Sequence, residues 1–133
     1  MVLLMAESFW ALTRYAEPFD PGHVCKIVHH CLEANLLLVL EVEGRVEGFA
    51  AAHLGPLLGN GATLQGLELA YWVNPGARGR GRDLLRQLER AARQAGAKYL
   101  NMVAMESSDP EKAERLYKAL GYEKAETIYT KAL

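Results

Sequence analysis

Three features of the chain predict an α/β protein, with a mixed and mostly antiparallel sheet flanked by helices. Apolar residues switch between helical and strand spacing, two strand-like runs meet at the tight turn Glu43–Gly44, and two later runs each lead into an amphipathic helix. The elements follow in order. "DPGHVCKIVHHCLEAN" offers Asp20 as an N-cap and Val24, Ile27, Val28, Cys31 and Leu32 on one face, so a helix is expected over 21–34. Leu36 to Val42 and Val46 to His53 read as an antiparallel hairpin around Glu43 and Gly44. "LGPLLGNGATLQG" reads as a glycine-rich loop, and "LELAYWV", residues 67–73, as a strand stopped by Asn74 and Pro75. Leu84, Leu85, Leu88, Ala91, Ala92 and Ala95 then share one helical face that ends at Gly96. "KYLNMVAM", residues 98–105, is the next strand. A helix capped by Asp109, with Pro110 at its first position and Gly121 beyond its last turn, follows it. "ETIYTKAL" reads as a closing strand.

At 133 residues, half of them apolar, the chain fits one domain over 1–133 with one sizeable core. Fifteen basic residues against sixteen acidic ones leave no overall field to attract nucleic acid or an anionic membrane. The longest aliphatic run, Leu36–Leu40, is far short of the ~20 residues of a membrane span, and "MVLLMAES" lacks the basic start and length of a signal peptide. A soluble cytoplasmic protein is expected. Cys25 and Cys31 are separated by roughly 9 Å of helical rise, too far for a disulfide. The four histidines show no metal-ligand spacing, so no metal is expected.

The most distinctive stretch is "PGARGRGRDLL", residues 75–85, lying between a strand and a helix. A helix start preceded by glycines gathers unpaired backbone N–H groups that favour an anion, and Arg78, Arg80 and Arg82 can add charge-assisted hydrogen bonds. No Lys-Ser or Lys-Thr follows, as a P-loop needs, and the Rossmann glycine pattern is absent. Taken alone, the stretch is read equally well as a solvated turn.

Its surroundings favour the anion site. "ELAYWVNPGARGRGRDLL", followed by "RLYKALGY", resembles the GNAT acetyltransferase superfamily, with Val73, Pro75, Arg78, Gly79 and Gly81 matching its acetyl-CoA loop. Leu116, Tyr117, Gly121 and Tyr122 match its later L-Y-x-x-x-G-Y/F motif. "PFDPGHV" and the "ETIYTKAL" ending resemble a small bacterial and phage branch of that superfamily. The resemblance implies a GNAT-like sheet and transfer of an acetyl group from acetyl-CoA directly to a primary amine of a small molecule or peptide. It further implies that Arg78, Gly79, Arg80, Gly81, Arg82 and Asp83 surround the CoA pyrophosphate. Backbone near Trp72 and Val73 would pair with the pantetheine arm. Tyr117 stands where the family places its general acid, and Glu68 where several members carry a base.

Two departures stand out. Asp83 takes a position that the family fills with glycine or alanine; shifting the register to Gly76, Gly79 and Gly81 restores three glycines, and Asp83 still sits in the first helical turn, competing with a phosphate. The family's first strand is missing, which leaves a sheet edge for a partner chain to cover, so a homodimer is expected. Structural readings stand beside the functional ones. Tyr117 shares a face with Ala113, Leu116 and Leu120 and fits a core, Glu68 fits a solvent-facing strand, and Glu106, Asp109 and His53 are weaker candidates for the base. The main alternative is a catalytically idle module of the same fold that binds an acyl-CoA or a partner protein. Nucleic-acid binding through "RGRGR", extended by Arg86 and Arg90, is disfavoured by the near-neutral charge and the lack of an aromatic platform.

Overall fold

Helix formation begins at the second residue. In the computed structural model, which describes all 133 residues, Val2–Trp10 form α1, an element not expected from the sequence. No side chain caps this helix, and its apolar residues run almost without interruption, so neither a start signal nor a clean period marks it. Burial holds it in place. Met5 and Ala6 pack with Phe49, Val24 and Trp72 against one face of the sheet.

Helix α2, Pro21–Glu33, begins as expected, with the Asp20 carboxylate accepting the His23 N–H at 2.9 Å. Strands β1 (Leu37–Val42) and β2 (Arg45–Leu57) pair antiparallel around Glu43 and Gly44. Both turn residues have positive φ, at 52° and 76°, which matches the twist of a two-residue hairpin.

The stretch expected as a glycine-rich loop is a second hairpin. β2 runs to Leu57 and β3 spans Asn60–Val73, pairing Leu54 with Gly66, Gly55 with Gln65 and Pro56 with Leu64. Glycines and Pro56 mask its alternation. Pro56 is tolerated because β1 does not reach past Ala51, leaving this part of β2 an edge. Gly66 packs closely there: a Cβ would lie 2.9 Å from Leu100 Cδ1, so the leucine would have to shift.

A 3₁₀ turn at Pro75–Ala77 leads into α3 (Gly81–Gln94); β4 (Ala97–Asn101) and α4 (Pro110–Ala119) follow. The Asp109 carboxylate accepts the Lys112 N–H at 3.1 Å, the expected cap of α4. The sheet order is β1-β2-β3-β4, antiparallel except for the parallel pair β3–β4. Leu84, Leu85 and Leu88 of α3 and Tyr117 of α4 bury Leu36, Ala50 and Ala52 on the face opposite α1 and α2.

Two expected strands are corrected. The run 98–105 is a strand only as far as Asn101, because the chain leaves β3 there. "ETIYTKAL" forms no strand; Ile128, Tyr129 and Leu133 are exposed, and strand-like alternation without a paired neighbour does not make a ladder. β1, preceded by helices alone, is an edge strand with Val39 exposed.

Candidate active site

The site is created by a gap in the sheet. β3–β4 pairing ends at Leu67 and Asn101, but β3 continues to Val73 bonded to β2 alone. The bend that separates them is a bulge: Ala51 pairs with Ala70 and Ala52 with Glu68, so Leu69 is the extra residue. The backbone of residues 68–73 therefore presents an open edge towards the departing chain. Trp72 and Val73 lie at its far end. The Trp72 indole points to the α1–α2 side, donating to Asn74 Oδ1 at 2.8 Å, and Asn74 Nδ2 donates to Glu47 Oε2 at 3.0 Å. The open slot thus receives main chain from Trp72, not its ring.

Glu68 and Tyr117 meet at the mouth of the gap. Val103 donates its N–H to Glu68 Oε2 at 2.8 Å, and the Tyr117 hydroxyl donates to the Val103 carbonyl at 2.6 Å. Glu68 pairs with buried Ala52, so its side chain is on the α3–α4 face with Tyr71 and Tyr117. Burial pushes its carboxyl up to about 7, against a smaller opposite pull from the Val103 N–H. Burial, followed by the Glu68 charge, raises the hydroxyl of Tyr117 well above the ordinary tyrosine value. Tyr122 packs against Tyr117 with ring centres 5.7 Å apart and donates to Glu89 Oε1 at 3.0 Å.

At the other end of the gap, the loop before α3 forms a cradle. Gly79 takes φ +102°, a conformation closed to most side chains. The N–H groups of Gly79, Gly81 and Arg82 have no acceptor within the protein, and the N-cap Arg80 supplies none. Arg78, Arg80 and Arg82 are exposed and form no ion pair, since the salt bridges involve Lys118, Lys124 and Glu114. Three free donors and three free guanidinium groups suit a diphosphate. Asp83 is exposed in the first turn, its N–H bonded to the Arg80 carbonyl, and lines a cleft shared with Leu37–Glu41 of β1.

The weaker candidates lie elsewhere or are already engaged. His53 stacks on His30 on the outer face, with Nδ1 and Nε2 3.4 Å apart, and Asp109 caps α4. No cluster of three or more His, Cys, Asp or Glu side chains stands where it could hold a metal ion, and both cysteines are free. No helix is long and apolar enough to cross a membrane. Among the aromatics that precede α2, Trp10 stacks on Tyr15 and donates to the Glu17 carbonyl at 2.9 Å.

Sequence reasoning missed Tyr71 and Val103. A Cβ placed on Gly81 would overlap the Tyr71 hydroxyl, so that ring reaches from β3 to the first turn of α3. Strand alternation carried the signal for Tyr71: it faces the same way as Val73, opposite to Trp72. Val103 is engaged through its main chain alone, which leaves no mark in the sequence.

The chain matches the family model described as the acetyltransferase (GNAT) family over residues 3–122. No curated protein sequence matches it. Solved structures share the fold at low identity. A predicted acetyltransferase of Clostridium acetobutylicum, solved with acetyl-CoA, has a TM-score of 0.73 at 16% identity, covering 98% of this chain and 87% of its own. The ribosomal-protein-alanine N-acetyltransferase of Brucella melitensis gives 0.69 at 19% identity, over 98% and 90%. AAC(6')-Iy, in complex with the bisubstrate analogue CoA-S-monomethyl-acetylneamine, also gives 0.69 at 19%, over 98% and 90%.

Proposed function

The chain belongs to the GNAT acetyltransferase family, and from that premise we propose that residues 1–133 act as one N-acetyltransferase domain that passes an acetyl group from acetyl-CoA directly to a primary amine. The observation that carries this reading is the gap between β3 and β4, with Glu68 and Tyr117 at its mouth and the α3 cradle at its far end. Acetyl-CoA supplies the acetyl group as a thioester. The N–H groups of Gly79, Gly81 and Arg82, with Arg78, Arg80 and Arg82, would hold its pyrophosphate. The open edge of β3 at Trp72 and Val73 would pair with the pantetheine amides, a form of strand addition.

Glu68, with its carboxyl raised to about 7, suits a base that takes a proton from an amine near neutrality. Tyr117 suits the proton donor to the departing sulfur. The two are coupled electrically, because the negative charge of Glu68 is one reason the Tyr117 proton is held tightly. Once Glu68 has taken the amine proton, that charge is gone and Tyr117 becomes a stronger acid. Tyr117 would then turn its hydroxyl from the Val103 carbonyl and give its proton to the departing sulfur, and Glu68 would return the amine proton to Tyr117 through water. No metal enters this scheme.

The acceptor class is drawn from the neighbours, of which one carries an aminoglycoside-based analogue and another is an alanine N-acetyltransferase of ribosomal protein. We place this chain in the cytoplasm with no nucleic-acid partner, and infer that a second copy covers the β1 edge; a monomeric mass in sedimentation at micromolar concentration would remove the dimer. The activity is tested by following thiol release and acetylated product across aminoglycosides and alanine-ended peptides. Product formation that disappears in Glu68→Gln supports the reading. Saturable CoA binding without product on any amine would favour the idle binding module.

A further inference from the structure

Gly81 opens α3, where any residue of ordinary helical conformation could stand, and its φ is not positive. A side chain there would nevertheless have to displace a neighbour. A Cβ there would overlap the Tyr71 hydroxyl, with Tyr71 Cζ at 3.4 Å and Val73 Cγ2 at 3.6 Å. The space on the Cβ side of Gly81 is therefore taken by a tyrosine.

Tyr71 differs from the other two tyrosines of this face. Tyr117 and Tyr122 donate to Val103 and Glu89, whereas the Tyr71 hydroxyl has no hydrogen-bond partner in the protein. Its ring is half-buried against the α3 core and its backbone is fixed opposite Ala50 in the sheet, so the hydroxyl is delivered to one place. That place adjoins Gly81, whose N–H has no acceptor within the protein. Burial, followed by the nearby Glu68 charge, pushes its pKa up to about 12, so the phenol keeps a proton to donate when an anion arrives.

We propose that Tyr71 is a CoA-positioning residue: its hydroxyl donates to the pyrophosphate held at the start of α3, and Gly81 is glycine to admit that hydroxyl. This deepens the acetyl-CoA reading above and rests on it. Tyr71 thereby joins the strand that frames the pantetheine slot to the helix that holds the phosphates, fixing how far the thioester reaches towards Glu68.

Two measurements test the proposal. Calorimetric titration with CoA, joined to phosphorus NMR of the bound ligand, is made on the wild type and on Tyr71→Phe. The expected result is an affinity about 10-fold weaker, as for one hydrogen bond to a charged group, with the pyrophosphate resonances moved and the 3′-phosphate resonance unmoved. Unchanged affinity and resonances would overturn the proposal. Absence of CoA binding by the wild type would sink the acetyl-CoA reading itself, and this inference with it.

The second measurement needs no ligand. Gly81→Ala should lower the Tm by about 5 °C, and adding Tyr71→Phe should restore it, because the overlap is with the hydroxyl and the ring carbon is at ordinary contact distance. A Gly81→Ala variant as stable as the wild type would show that the hydroxyl is not seated against this residue, and would overturn the proposal without reference to CoA.

Discussion

Glu68 and Tyr117 grip one residue from two sides: Val103 donates its N–H to the Glu68 carboxylate at 2.8 Å and accepts the Tyr117 hydroxyl at 2.6 Å. One side chain comes from β3 and the other from α4, and they meet where the chain leaves β4. The contact lies just past the last β3–β4 pair, Leu67 with Asn101, so the same two groups define the gap and stand ready for chemistry in it. It also means that changing either one alters stability and rate together, and the two effects have separable signs.

For Glu68 they are opposed. Its carboxyl binds a proton more tightly in the folded chain, at about 7, than at the unperturbed 4.5. The folded state therefore gains most below the unfolded value and loses that gain as pH rises through about 7. Glu68→Gln removes the buried charge and keeps an acceptor for the Val103 N–H. At pH 8 it should raise stability by on the order of 1–3 kcal/mol, allowing for partial exposure, and lower turnover about 100-fold or more. Denaturant melts at pH 5 and pH 8 check the sign; a variant less stable at pH 8 would refute the buried-charge account.

The pH profile of the rate gives an independent reading. Turnover in the wild type should rise through about pH 7 as Glu68 loses its proton and becomes able to accept one from the amine. The residual rate of Glu68→Gln should lack this step. The same midpoint in both proteins would assign the titration to another group.

Tyr117→Phe removes the donor to Val103 and the proposed proton source. Turnover should fall about 100-fold or more, while CoA affinity changes less than about 2-fold and stability drops by about 1 kcal/mol for the abandoned carbonyl. An unchanged rate with the same loss of stability would return Tyr117 to a packing role.

Asp83→Asn removes an exposed negative charge from the first turn of α3. Beside phosphates that charge repels, so CoA should bind severalfold more tightly at low salt, and the gain should shrink as salt is added. Equal affinity at low salt would mean that the carboxylate, which lines the cleft beside β1, does not reach the cradle's field.

Much of this architecture was legible in local signals. Asp20 and Asp109 mark helix starts because a short carboxylate can reach a free N–H, and Glu43–Gly44 marks a turn because few residues accept positive φ. Helix α1 was not, since it is held by packing on Phe49 and Trp72 and not by a cap. The end of β4 at Asn101 was hidden too, because "LNMVAM" has strand propensity throughout and the bulge that ends pairing lies in another strand. In the site, the motifs pointed to Glu68, Tyr117 and the glycine–arginine loop. The role of Val103 is main-chain and that of Tyr71 depends on a contact with a residue ten positions along the chain, so neither could be read from residue type.

Calorimetric titration of the purified protein with acetyl-CoA at low salt tests the central claim most directly. Saturable binding at one site per chain, weakened by adding salt, is the result predicted by the free N–H groups and unpaired arginines before α3. No binding at millimolar acetyl-CoA would contradict the cradle, and with it the assignment of this site to acetyl transfer.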